Sequence, residues 1–170
     1  MKKGLIVAVI HLLLVCSLGA KLIVDRATRP RVWVQTVSYD PDLPIRGRYV
    51  ALRARMETDV TPPPQSDPQT RIWYPVAKVR LEVRDGKLYG VRDDNGTVEM
   101  SWMRDRDGKW VAITNEPSLF FIAEHANDPS FRRNGEQLWF EATIPKKGPP
   151  RPIRLGVSKA DGTISPLDLN

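Results

Sequence analysis

The chain opens on an unbroken apolar run and then changes to a period of two. From Leu5 to Ala20 the one strongly polar side chain is His11, and Leu22-Ile23-Val24 resume the run after Lys21. At 1.5 Å rise, the sixteen-residue core gives about 24 Å of helix, and twenty residues give about 30 Å with Lys21 snorkelling, enough to cross a bilayer. From Arg31 onward apolar and polar residues alternate. In "RYVALRARM" Val50, Leu52, Ala54 and Met56 point one way, and in "VAKVRLEVR" so do Ala77, Val79, Leu81 and Val83. "QLWFEATI" repeats the pattern with Leu138, Phe140, Ala142 and Ile144. These are strands buried on one face.

Turn signals divide the rest. Asp85-Gly86, Asn95-Gly96 and Asp107-Gly108 read as hairpin turns, with a further one at Asp161-Gly162. Short runs lie between them at Leu88 to Val91, Val98 to Met103 and Trp110 to Thr114, and another spans Leu119 to Ala123. The proline groups "TPPPQSDP" and "PKKGPPRP" preclude long helices and set two surface loops. The expected fold is mainly β, an antiparallel sandwich or small barrel following one N-terminal transmembrane helix. An internal echo, "RGRYVALRAR" and "AKVRLEVRDG" beside "RNGEQLWFEATI" and "PIRLGVSKADG", suggests two similar halves. The domain reading is 1-24 membrane segment, 25-30 stem and 31-170 β-rich domain.

Charge narrows the function classes. The net +6 is inflated by Lys2, Lys3 and Lys21 in a region without acids, which leaves 23 basic against 20 acidic residues beyond it. The signs there are mixed, with no dense basic stripe, so nucleic acid is not an expected partner. Cys16 is the sole cysteine and lies in the apolar run, so the β domain has no thiol chemistry. Leu18 fits poorly before a cut after Ala20, which favours an uncleaved anchor over a cleaved signal peptide. Lys2 and Lys3 form the positive region of an export signal. The expected topology is therefore a single-pass anchor with the C-terminal domain exported across the membrane. The alternative is an exported protein freed by cleavage.

Candidate chemistry is sparse. "FFIAEHANDPSFRRNG" gathers Glu124, His125 and Asp128, a carboxylate and an imidazole that could serve acid-base work. Neighbours on a strand face opposite ways, however, so the plainer reading is a strand leaving through an Asn-Asp-Pro turn. GxSxG, P-loop and HExxH signatures are absent, and no metal or cofactor is expected. Five tryptophans, at 33, 73, 102, 110 and 139, read mainly as core and rim packing, with outward Tyr49 and Trp139 candidates for an exposed aromatic patch.

With Gly47, Tyr49 and Leu52 in place, "RGRYVALRA" resembles the motif of the GDYXXLXY family of bacterial membrane-anchored proteins. Arg48 stands where that family has Asp, and Ala54 where it has the final Tyr. The anchor, "DPDLPIRGRYVAL" and the later "FFIAEHANDP" before a glycine-led strand extend the resemblance over most of the chain. The family has no established enzyme activity and looks similar to proteins found beside multi-pass membrane proteins, so the resemblance implies the bacterial inner membrane, single-pass, with the C-terminal domain in the periplasm, or secretion to the periplasm if the segment is cleaved. The leading expectation is thus an interaction or accessory subunit of a multi-pass membrane protein, with Arg46, Arg48, Tyr49, Glu124, His125 and Asp128 as possible contact residues. A periplasmic binding module for an envelope glycan or lipid headgroup is the alternative, and it requires a groove lined by Trp and Arg. An enzyme using Glu124 and His125 ranks third.

Overall fold

A computed structural model describes residues 2–39, 49–62, 72–105, 107–123, 129, 136–159 and 162–169. The chain divides into two compact units, Met1–Pro30 and Arg31–Asn170. In the first, α1 (Lys2–Thr28) is apolar on all sides over Gly4–Val24. Those 21 residues span about 31 Å, so this helix is long and apolar enough to cross a membrane. Three of its polar side chains bond to the helix's own backbone, two of them, His11 and Ser17, within the apolar span. His11 Nδ1 donates to the Val7 carbonyl (2.9 Å), Ser17 to Leu14 (2.8 Å) and Thr28 to Val24 (2.8 Å). The helix runs through most of the expected 25–30 stem and stops just before Pro30, which disfavours helical geometry in its predecessor.

The second unit has ten strands among the described residues: β1 (Arg31–Tyr39), β2 (Tyr49–Thr58), β3 (Ile72–Arg84), β4 (Lys87–Arg92), β5 (Val98–Arg104), β6 (Trp110–Thr114), β7 (Ser118–Phe121), β8 (Gln137–Thr143), β9 (Arg151–Ser158) and β10 (Ile164–Pro166). Their order is β10-β9-β8-β1-β2-β4-β3-β5-β6, with β7 on β2 and with β6 returning to β2. Strands β2, β4, β3, β5 and β6 therefore close a hydrogen-bonded circuit, and β1, β8, β9 and β10 extend from it as a wing. Among the described residues all strand pairs are antiparallel except β2 with β4.

β2 joins the two parts by changing partners midway. Its first half pairs with β1 (Thr36 opposite Ala54) and β7 (Leu52 opposite Ser118), and its second half with β6 (Met56 opposite Ala112) and β4 (Glu57 opposite Tyr89). The Thr114 hydroxyl accepts the buried Ala54 N–H (3.0 Å) at the changeover, where a ladder bond would otherwise be missing. Alternation alone expects one buried face. Here Ala51 and Arg53 (8 % exposed) are buried together with Val50, Leu52 and Ala54, because strands flank β2 and material covers both faces. Phe140, Leu52, Met100, Ile113 and Leu155 are the largest apolar side chains wholly withdrawn from solvent.

The Asp85-Gly86 turn is as expected: both residues have positive φ (50° and 72°), and Arg84 pairs directly with Lys87. Asn95-Gly96 differs. It does not join paired strands, since β4 and β5 lie on opposite edges of the long β3. The turn crosses over β3 instead, with the Gly96 N–H on the Asp93 carbonyl (2.7 Å). A Cβ on Gly96 would sit 2.7 Å from the Val79 carbonyl oxygen, so the crossing needs glycine. The expected strand from Leu119 to Ala123 is the shorter β7. The echo of two halves also parts company with the topology: β8 and β9 are neighbours, whereas β4 separates β2 from β3.

Candidate functional site

Among the positions that carry the motif resemblance, Leu52 is wholly buried and Tyr49 is half-buried at the start of β2. The Tyr49 ring meets Phe121 of β7 at 6.3 Å between centroids, tilted by 60°. Its hydroxyl is buried without a hydrogen-bond partner among the described residues. Arg46, Gly47, Arg48, Glu124, His125 and Asp128 lie outside the described residues. Among those that are described, no three His, Cys, Asp or Glu side chains come together as a metal-ligand set.

A groove of about 1010 Å³ is walled by six strands and the start of β10. Trp33 of β1, Trp102 of β5, Trp110 of β6, Trp139 of β8 and Tyr89 of β4 line it, as do Arg31, Gln35, Arg55, Glu57, Lys87 and Glu141. Strand register explains the wing side of this wall. Arg154 of β9, Glu141 of β8 and Trp33 of β1 are successive cross-strand partners. The next row holds Gly156, Trp139 and Gln35, and Gln35 Oε1 accepts a bond from Arg55 Nη1 (3.2 Å) on β2. Partners directly opposite share a face, so ring, amide and guanidinium stand side by side.

Each ring is fixed by a second contact. The Arg154 guanidinium lies over Trp33 (5.4 Å), that of Arg104 over Trp110 (4.8 Å) and that of Arg84 over Tyr89 (4.2 Å). Trp139 Nε1 donates to the Ser158 hydroxyl (3.0 Å). Trp33 also rests on bare backbone, since a Cβ on Gly156 would lie 2.7 Å from its ring. Trp102 packs on the core cluster. The aromatic wall is thus held in position by contacts within the protein.

The charges in the groove are unequally matched. Lys87 Nζ bonds Glu57 at 2.6 Å, and Arg154 bonds Glu141 at 2.6 Å. The Glu57 carboxylate, by hydrogen bond first and by charge second, raises the Lys87 ammonium above the ordinary lysine range. Arg55, whose described bond goes to the neutral Gln35 amide and which has no carboxylate partner among the described residues, is left as uncompensated positive charge.

The sequence contained part of this signal. Trp33 lies between inward Val32 and Val34, and Trp139 between inward Leu138 and Phe140, so both were bound to face outward. Their convergence was hidden, because β1 and β8 are about a hundred residues apart and only the register sets them side by side. The pairing of Tyr49 with Trp139 is not seen: Trp139 lines the groove, whereas Tyr49 packs on Phe121. Comparison with known protein families, curated proteins and solved structures finds no match to this chain.

Proposed function

We propose that the protein is a membrane-anchored binding module whose ligand site is the aromatic groove of the β domain. The observation that carries this reading is the groove of about 1010 Å³ with four tryptophans, Tyr89 and Arg55 in its wall. Its size is at the upper end of ordinary ligand sites, and fixed rings with a few polar groups between them are what such sites use for orientation. The domain stands in the periplasm and α1 holds it at the bacterial inner membrane. The test is tryptophan fluorescence of the full chain titrated with envelope glycans and lipid headgroups. A saturable change abolished by Trp139→Ala supports the reading, and a groove indifferent to every ligand of both kinds refutes it.

A second reading has its own observation. Leu119 and Phe121, the latter 72 % exposed, stand on the four-residue strand β7 beside Tyr49. An apolar edge of this sort suits contact with another protein, and the resemblance to the GDYXXLXY family points to a multi-pass membrane partner. Crosslinking from membranes checks it: Phe121→Ser should abolish recovery of that partner, and unchanged recovery counts against this surface.

A further inference from the structure

We infer that the groove takes an anionic saccharide, a pyranose stacked on Trp139 with its acidic group on Arg55; this rests on the groove being the ligand site. The rings differ in availability. Trp33, Trp110 and Tyr89 each carry a guanidinium over the ring, whereas Trp139 is held by its Nε1 edge on Ser158. Among the described residues no guanidinium lies over Trp139, so its indole face is the one assigned to the apolar C–H face of a sugar ring.

The charge pattern then selects among sugars. Sugar hydroxyls of any kind can meet the lining carboxylates and amide, so the class of sugar is decided by net charge. Here both lining carboxylates have their charge matched by a cation, Glu57 by Lys87 and Glu141 by Arg154, each through one oxygen at 2.6 Å, so neither leaves net negative charge in the groove to repel an acid. Gln35 spends its amide oxygen on Arg55 Nη1 and its amide nitrogen on Gln137. The rest of the Arg55 guanidinium, which has no carboxylate partner among the described residues, is a planar donor suited to carboxylate or phosphate oxygens. The register places it one strand beyond Gln35, in the row of Trp139, so ring and guanidinium stand two strands, about 10 Å, apart, a span that one sugar ring with its acidic substituent bridges. A lipid acyl chain is a poorer fit, because ion pairs interrupt the aromatic wall. Uronate-type and phosphate-bearing sugars share the required chemistry, whether free or as the headgroup of a glycolipid.

The test uses the full chain in a polyoxyethylene detergent, which carries no sugar, with hexameric oligogalacturonate, maltohexaose and phosphatidylglycerol vesicles as probes. Tryptophan fluorescence should report oligogalacturonate binding that weakens with salt and exceeds maltohexaose binding by at least about tenfold. Arg55→Gln should erase that preference, Trp139→Ala should weaken binding about tenfold or more, and Trp139→Phe should retain most of it. Thermal unfolding of each variant separates loss of binding from loss of fold. Equal affinity for maltohexaose overturns the anionic class and leaves the binding module standing. Undiminished binding by both Arg55→Gln and Trp139→Ala overturns the placement. A response to vesicles alone overturns the saccharide in favour of lipid, and silence toward all probes and toward envelope extracts overturns the binding module itself.

Discussion

Replacing Gly156 by alanine strikes the wall of the groove without touching any polar group. The added Cβ would lie 2.7 Å from Trp33 Cζ3 and 2.9 Å from Cη2, where ordinary contact begins near 3.4 Å. The indole is a rigid plate rather than a flexible tip, and Arg154 lies over it, so it cannot yield by a small torsion. Overpacking of this kind costs about 1–3 kcal/mol. Trp33→Leu removes the six-membered ring that the Cβ would strike. The two changes should therefore couple: alanine at 156 is costly beside Trp33 and close to neutral beside leucine, an interaction of about 1–3 kcal/mol. Urea unfolding of the four proteins of the cycle measures it, with midpoints converted through a common slope. If Gly156→Ala costs the same in both backgrounds, within about 0.5 kcal/mol, the ring is not the obstacle. The cause would then be Ile164 Cγ2, 3.1 Å from the same Cβ, and the fixed position argued for Trp33 would fall.

Other expectations are separate from that cycle. Gly96→Ala should destabilise by about 1–3 kcal/mol in thermal unfolding, because its Cβ meets backbone oxygens of Asp93 and Val79 at 2.7 Å and neither can turn aside. Phe140→Ala should cost about 3–5 kcal/mol, since the ring is wholly buried between β1 and β9; a loss under about 1 kcal/mol would contradict that position. The Lys87 titration, followed by NMR at its side chain, should have its midpoint above that of ordinary lysines and return toward it in Glu57→Gln. A raised folded-state pKa stabilises fully below the unfolded lysine value and is lost as pH rises through the folded one, so Lys87→Met should flatten the alkaline end of the stability profile.

Local pattern revealed more of the fold than of the site. The period-two runs and Asp85-Gly86 are set by residues adjacent in sequence, and they appear as β2, β3, β8 and a tight turn with both φ positive. Asn95-Gly96 has the same local chemistry but serves a crossover, because which edge of β3 the next strand takes is decided by long-range pairing. Arg53 shows the same limit. Its place in the alternation calls for solvent, and it is buried because β2 runs between two sets of strands. The groove draws on strands from β1 to β10, so no window of the sequence contains it.

β2 nonetheless connects the motif-like stretch to the groove. Tyr49 and Leu52 pair with β7, and Arg55 and Glu57, the β2 charges in the groove wall, follow on the same strand. Side chains alternate along a strand, so a slip of one residue in the β2–β7 register would turn Arg55 away from Gln35 and Glu57 away from Lys87. Leu52, wholly buried opposite Ser118, resists such a slip, because moving it by one place would put arginine or alanine where leucine fills the core. The role of these apolar letters in the β domain is therefore indirect. They fix the phase of the strand, and that phase delivers a guanidinium and a carboxylate to the groove.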